Sequence, residues 1–138
     1  MNTLGVIQAF IIAKNAEETL AMQKLILGVA LHFEHGGEPK THICLSAEDA
    51  KILLGEGKNY NVFVLSGEVP GIMEYGIIEK VKEDYPKALI VFCSDQKNLM
   101  FAAKEKGITM VHAMEPLITA SKFSKSVSGE ITKTDYPN

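Results

Sequence analysis

Short apolar runs alternate along the chain with stretches in which apolar residues recur every three or four positions. The run from Leu4 to Ala13, centred on Ala9-Phe10-Ile11-Ile12-Ala13, is apolar at consecutive positions. It is read as one central strand covered on both faces. Asn15 follows as a helix N-cap, with Glu17 and Glu18 in the first turn. Leu20, Ile26 or Leu27, and Leu31 then recur at helical spacing as far as Phe33, and Gly36, Gly37 and Pro39 end that segment. Thr41 to Leu45 predicts a second strand, Ser46 caps a short helix closed by Gly55 and Gly57, and Val62 to Leu65 predicts a third strand. A helix is expected over Met73 to Tyr85, stopped by Pro86, and a fourth strand over Ala88 to Phe92. Asp95 to Lys106 reads as a helix with Leu99, Ala102 and Ala103 inward and Gly107 behind it. Ile108 to His112 is the fifth strand, and Pro116 opens a last helix to about Val127.

Five strands alternating with five helices predict a doubly wound α/β domain, a parallel sheet in a three-layer α/β/α sandwich. Residues 1–127 form one domain on this reading, and the polar segment 128–138 is a flexible tail. Ligands of such folds sit beyond the C-terminal ends of the strands, so chemistry is sought there.

Composition narrows the classes. The chain has 138 residues, 46% of them hydrophobic, and a net charge of −3. That suits one globular domain, and without a Lys-rich run a nucleic-acid partner is not expected. All 14 basic residues are lysines, which removes bidentate side-chain recognition of phosphate. Cys44 and Cys93 lie in separate apolar runs and are read as buried, reduced thiols, consistent with a cytoplasmic protein. No apolar run is long enough for a membrane helix, and Met1 to Ala13 reads as a strand rather than a signal peptide. No metal or cofactor is expected: His32 and His35, three apart, lack a third ligand, and Gly5 and Gly67 make no phosphate-binding pattern.

The stretch Asn61-Val-Phe-Val-Leu-Ser-Gly-Glu-Val-Pro-Gly71, with Tyr85-Pro-Lys-Ala-Leu-Ile-Val-Phe92, Gly107 and Glu115-Pro116, resembles the receiver domains of two-component response regulators. The resemblance runs from about residue 7 to about residue 125. It implies the flavodoxin-like, CheY-like strand order 2-1-3-4-5. It also implies that the functional positions of a receiver have been replaced. Where active receivers carry an acidic pair that holds Mg²⁺, Ile12-Ala-Lys-Asn-Ala-Glu17 places Ala13 and Lys14, and neither is an oxygen ligand. The phosphoacceptor Asp falls on Ser66, a hydroxyl without an evident base. The hydroxyl that senses phosphate falls on Cys93, with Ser94 next, and the phosphate-pairing Lys falls on Glu115.

The resemblance therefore implies a pseudo-receiver, a signal-transduction module that works by protein–protein interaction without phosphorylation and is not an enzyme. In the family, the helix 4–strand 5–helix 5 face carries dimerisation or partner binding. On this chain Met100, Phe101, Met110 and Phe123 are the apolar candidates there, for a protein partner or a second copy. Two alternatives stay open. A small-molecule or anion sensor would use a vacated pocket among Lys14, Ser66, Cys93 and Glu115. An enzyme of another doubly wound family would gather Ser66, Cys93 and His112. Lys14 is also expected to occupy the space of the missing Mg²⁺ and to pair with Glu115 or Glu68.

Overall fold

The apolar runs pair side by side into a sheet. The computed structural model describes residues 3–5, 7–32, 34–35 and 40–122. In chain order the elements are β1 (Thr3–Gly5), β2 (Gln8–Ile12), α1 (Ala16–His32), β3 (Glu34–His35), β4 (Lys40–Cys44), α2 (Ala47–Leu54), β5 (Val62–Ser66), α3 (Ile77–Asp84), β6 (Leu89–Cys93), α4 (Lys97–Glu105) and β7 (Met110–His112). A final helix, α5, covers residues 114–122. The main sheet has the order β4-β2-β5-β6-β7 with every pairing parallel, which is order 2-1-3-4-5 when its own strands are counted along the chain. The expected doubly wound architecture is present.

Side chains on each strand alternate between two cores because successive Cβ atoms point to opposite faces. Phe10, Ile12, Phe63, Leu65 and Phe92 point to one face, where they meet Ala50 and Leu54 of α2, Ile77, Ile78 and Val81 of α3, and Ala103 of α4. Ala9, Ile11, Ala13, Val62, Val64, Val91 and Cys93 point to the other, where they meet Met22 and Ile26 of α1 and Met114 of α5. Aromatic bulk is concentrated on the first face: Phe10 contacts Tyr60 at 4.9 Å and Phe63 contacts Tyr85 at 5.0 Å between ring centroids.

Local chemistry explains most element ends. Asn15 Oδ1 accepts from the backbone N–H of Glu18 at 3.0 Å, and Ser46 Oγ accepts from that of Asp49 at 3.1 Å. Both caps satisfy an orphan donor of the first helical turn. α4 and β7 each start two residues later than expected, at Lys97 and Met110, and three other boundaries differ for a visible reason. The first apolar run is two strands rather than one: β1 pairs with β3 in a separate two-stranded sheet, and β2 alone enters the main sheet. α3 starts at Ile77 rather than Met73, because Gly71 and Gly76 adopt φ of +81° and +71°, a left-handed conformation that breaks a helix. α5 starts two residues before Pro116, which sits in its first turn, where the missing N–H costs nothing. Gly36, Gly37, Pro39, Phe123 and the segment 128–138 lie outside the described residues, and so do the side chains of His32 and His35.

Candidate functional site

The C-terminal ends of β2, β5, β6 and β7 lie side by side, and the loops that leave them are joined by a chain of polar contacts. It starts at Ser66, the last residue of β5. Ser66 is fully buried, and its Oγ accepts from the backbone N–H of Glu68 at 3.0 Å. At the neighbouring strand end Ser94 does the same for Gln96, also at 3.0 Å. The two loops are thus built on one device, a serine that turns the chain by bonding its own backbone two residues on. Gly67 between them donates its N–H to Cys93 O at 2.8 Å. A Cβ at Gly67 would stand 2.7 Å from Ser94 Cβ and 2.9 Å from Phe92 Cζ. Only glycine permits the β5–α3 loop to come this close to the end of β6.

Glu68 bridges the two loops. Its Oε2 accepts from Ser94 Oγ at 2.8 Å and from Asp95 N at 3.3 Å, and its Oε1 accepts from Gln96 Nε2 at 2.9 Å. The first turn of α4 contains no acidic residue and its cap, Gln96, makes no side-chain capping bond. Glu68 therefore supplies, from another loop, an anion at that helix start. Partial burial raises the Glu68 pKa. The hydrogen bonds from Ser94, Gln96 and Asp95 and the charge of Lys14 outweigh that and hold it below its ordinary 4.5. Ser94 is fully buried and fully used: its N–H donates to His112 O at 3.0 Å, its hydroxyl donates to Glu68 and accepts from Gln96. Asp95 carries the chain of contacts onward, its two carboxylate oxygens accepting from Glu115 N at 3.1 and 3.0 Å at the start of α5.

The expected site residues fall around this ladder. Ala13 is fully buried in the α1/α5 core. Lys14 is exposed, and among the described residues it forms no ion pair; the pairs are Lys80–Asp84, Lys106–Glu79 and Lys122–Glu17. The expected bridge from Lys14 to Glu115 or Glu68 is not formed. Lys14 acts on Glu68 only through space, because the Glu68 oxygens are taken by uncharged donors. Glu115 is exposed and its Oε2 accepts from Thr119 Oγ1 at 3.2 Å, along its own helix. Cys93 turns into the core rather than the strand-end loops. Burial, aided by the charge of Glu18, pushes its thiol up to about 12, so Lys14 does not activate it. Ser94, one residue on, is the hydroxyl that faces Glu68. No hydrogen bond joins Ser66 or Cys93 to His112 among the described residues, and a nucleophile needs such a base.

Glu17 and Glu18, both in the first turn of α1, separate: Glu18 turns inward. It is 4% exposed, and its Oε1 accepts from Lys14 N at 2.8 Å. With Asn15 it forms a reciprocal cap at the start of α1. Glu17 is the exposed partner, pairing with Lys122 of α5 at 2.6 Å. On the α4–β7–α5 side the apolar candidates separate. Phe101 is 63% exposed, Met100 is half-buried, and Met110 packs against the α1/α5 core.

The strand ends do not suit Mg²⁺. A buried methyl and an exposed ammonium stand at Ala13 and Lys14, the Glu68 oxygens are taken by three donors, and those of Asp95 cap α5. Among the described residues no three His, Cys, Asp or Glu side chains are grouped to hold a metal. No described helix is long and apolar enough to cross a membrane.

Known structures share the fold. An orphan response regulator of H. pylori superposes with a TM-score of 0.57 at 16% identity, covering 88% of this chain and 96% of that one. A pilus assembly-related protein of Burkholderia pseudomallei superposes with a TM-score of 0.54 at 16% identity, covering 93% and 94%. The fold is the receiver fold. No family model and no curated protein matches the sequence, so the likeness lies in the path of the backbone. Glu68 and Asp95 were not legible as the centre of the site. The available signal was the repeated pattern of a serine ending an apolar run with Glu or Gln two residues later, Ser66-Gly-Glu68 and Ser94-Asp-Gln96.

Proposed function

We propose that the domain is a pseudo-receiver, a signalling or regulatory module that binds a protein partner without being phosphorylated. The observation that carries this reading is the Glu68 carboxylate, which engages the buried Ser94 hydroxyl at 2.8 Å. A receiver needs an acquired phosphoryl group to place negative charge beside such a hydroxyl. Here a carboxylate tethered two residues beyond Ser66 supplies that charge permanently. Ser66 in place of the acceptor, and Ala13 and Lys14 in place of metal ligands, support the same reading. The Glu68 charge also opposes binding of an anion at the strand ends. Ser66, Cys93 and His112 are register neighbours on β5, β6 and β7, but among the described residues no hydrogen bond joins either nucleophile to the His112 ring, which speaks against hydrolytic chemistry.

Incubation with acetyl phosphate and Mg²⁺ followed by intact mass measurement tests it. No mass gain is expected, and a stoichiometric gain of one phosphoryl group overturns the reading. The α4–β7–α5 side, with Phe101 exposed at its margin, is the surface proposed for self-association. Sedimentation over a concentration series is expected to show weak dimerisation that Phe101→Asp removes. A strict monomer removes that face from the proposal.

A further inference from the structure

α2 is covered by the core on one side only. Ala47, Ala50 and Leu54 point inward, while Ile52 points outward and is 67% exposed. Beside it, the turn formed by residues 71–76 raises Tyr75 against the helix. The Tyr75 hydroxyl donates to Glu48 Oε2 at 3.1 Å. Its ring closes over Gly71, where a Cβ would stand 3.3 Å from the ring edge. The hydrogen bond on one side and the glycine on the other fix the ring as a wall. Between Tyr75 and α2 lies an open groove of about 630 Å³ lined by Glu48, Asp49, Lys51, Ile52 and Tyr75. This size suits a few side chains of a partner.

The groove has an apolar floor and an acidic rim. Ile52 supplies the floor and the Tyr75 ring an apolar wall. Glu48 and Asp49 border it with exposed carboxylates, against the single ammonium of Lys51. Among the described residues neither carboxylate is in an ion pair, and Glu48 accepts only from the uncharged Tyr75 hydroxyl. Their negative charge is not neutralised by an ion pair, and at the edge of a desolvated contact complementary charge selects the partner and its orientation. A β-branched residue gains nothing at a solvated helix position, where straight-chain residues have the better propensity; covered by a partner, it becomes an anchor.

We propose that the groove between α2 and the 71–76 turn docks a short segment of a protein partner, an aliphatic or aromatic side chain flanked by lysines or arginines. This deepens the reading of the domain as a protein-binding module and rests on it. The surface is separate from the α4–β7–α5 side.

The test is a titration of the ¹⁵N-labelled full chain, followed by amide shifts, with two synthetic peptides. One carries a Leu-Trp pair flanked by lysines on both sides, and the other has every lysine replaced by glutamate. Saturable shifts centred on Glu48, Ile52 and Tyr75 are expected with the basic peptide, and binding at least tenfold weaker with the acidic one. Raising the salt to about 0.5 M weakens binding, because rim charges are screened. Ile52→Asp and Glu48→Lys each reduce affinity by about tenfold or more. Both positions are exposed, so these variants fold. Phe101→Asp leaves it unchanged. Absence of shifts at Ile52 and Tyr75, equal binding of both peptides, or loss of binding in Phe101→Asp alone overturns the groove. The outcome is independent of phosphoryl uptake. A chain that fails here but gains no phosphoryl group remains a pseudo-receiver, and one that binds here but is phosphorylated does not.

Discussion

Glu68 is the residue whose replacement should be felt most at the strand ends. Glu68→Ala removes the acceptor of the Ser94 hydroxyl, which is fully buried. An unsatisfied buried hydroxyl costs about 1–3 kcal/mol. The bonds from Asp95 N and Gln96 Nε2 come from exposed residues, so water replaces them at little cost. The sum is about 1–3 kcal/mol, or a fall in Tm of about 3–9 °C for a domain of this size. Glu68→Gln keeps an oxygen for Ser94 but loses the charge at the start of α4, and about half that loss is expected.

The sign of the pH dependence follows from the depressed pKa of Glu68, which lies below its ordinary 4.5 when folded. Its contribution is fully present above about pH 4.5 and is lost as pH falls through the folded value. The Tm difference between the wild type and Glu68→Gln should therefore be constant near neutrality and shrink in the acid range. Thermal unfolding of both proteins between pH 7 and pH 3 measures it. A double-mutant cycle with Ser94→Ala should give a coupling of about 1 kcal/mol. Zero coupling, or a Tm difference that widens in acid, would refute the bridge from Glu68 to Ser94.

Three further outcomes follow from the geometry. Both cysteines should resist a thiol reagent at pH 8 in the folded protein and react on unfolding, since burial pushes Cys44 to about 11 and Cys93 to about 12; rapid native labelling of Cys93 would contradict its place in the core. Asn15→Ala should cost about 1 kcal/mol in denaturant unfolding as a lost cap, whereas Glu17→Ala should change stability by less than about 1 kcal/mol, since the Glu17–Lys122 pair is solvent-exposed; the reverse order would show that the surface pair matters more than the cap. Gly67→Ala should destabilise by more than about 1 kcal/mol and alter the Ser94 and Asp95 amide resonances, because its Cβ meets Ser94 Cβ and the Phe92 ring at under 3 Å; a neutral effect would mean that the two loops separate freely.

What was legible in the sequence was local or periodic. Consecutive apolar positions in β2, β5 and β6 announce strands buried on both faces, and Asn15 and Ser46 mark helix starts through bonds that span three residues. The structure departs from that pattern where a distant contact or a left-handed glycine overrides it. Leu4 and Gly5 continue an apolar run into Ile12, yet they belong to a strand that pairs with β3. Ile72 and Met73 have the period of α3, yet Gly71 and Gly76 take left-handed φ values and hold the turn that carries Tyr75. Glu18 stands three residues after Asn15, a spacing that signals a reciprocal cap, but its burial depends on the packing of α1. Glu68 and Ser94 lie 26 positions apart, and no local pattern joins them.

The strength of the Glu68 bridge also bounds what it does. A stabilisation of about 1–3 kcal/mol biases a two-state equilibrium by roughly 5- to 150-fold, whereas moving one from 1:99 to 99:1 takes about 5.5 kcal/mol. Glu68 alone therefore tilts the strand-end loops toward one arrangement without fixing it. The remainder has to come from contacts coupled to it. Gly67 is wedged against Ser94 and Phe92, and Asp95, whose backbone N–H points at Glu68, uses its carboxylate to cap α5. Moving the β6–α4 loop would open the Glu68 bonds, release the Gly67 contact and uncap α5 together. Groups that break as a unit contribute non-additively. The loops from β5 and β6 and the start of α5 thus behave as one element, joined through the Glu68 carboxylate.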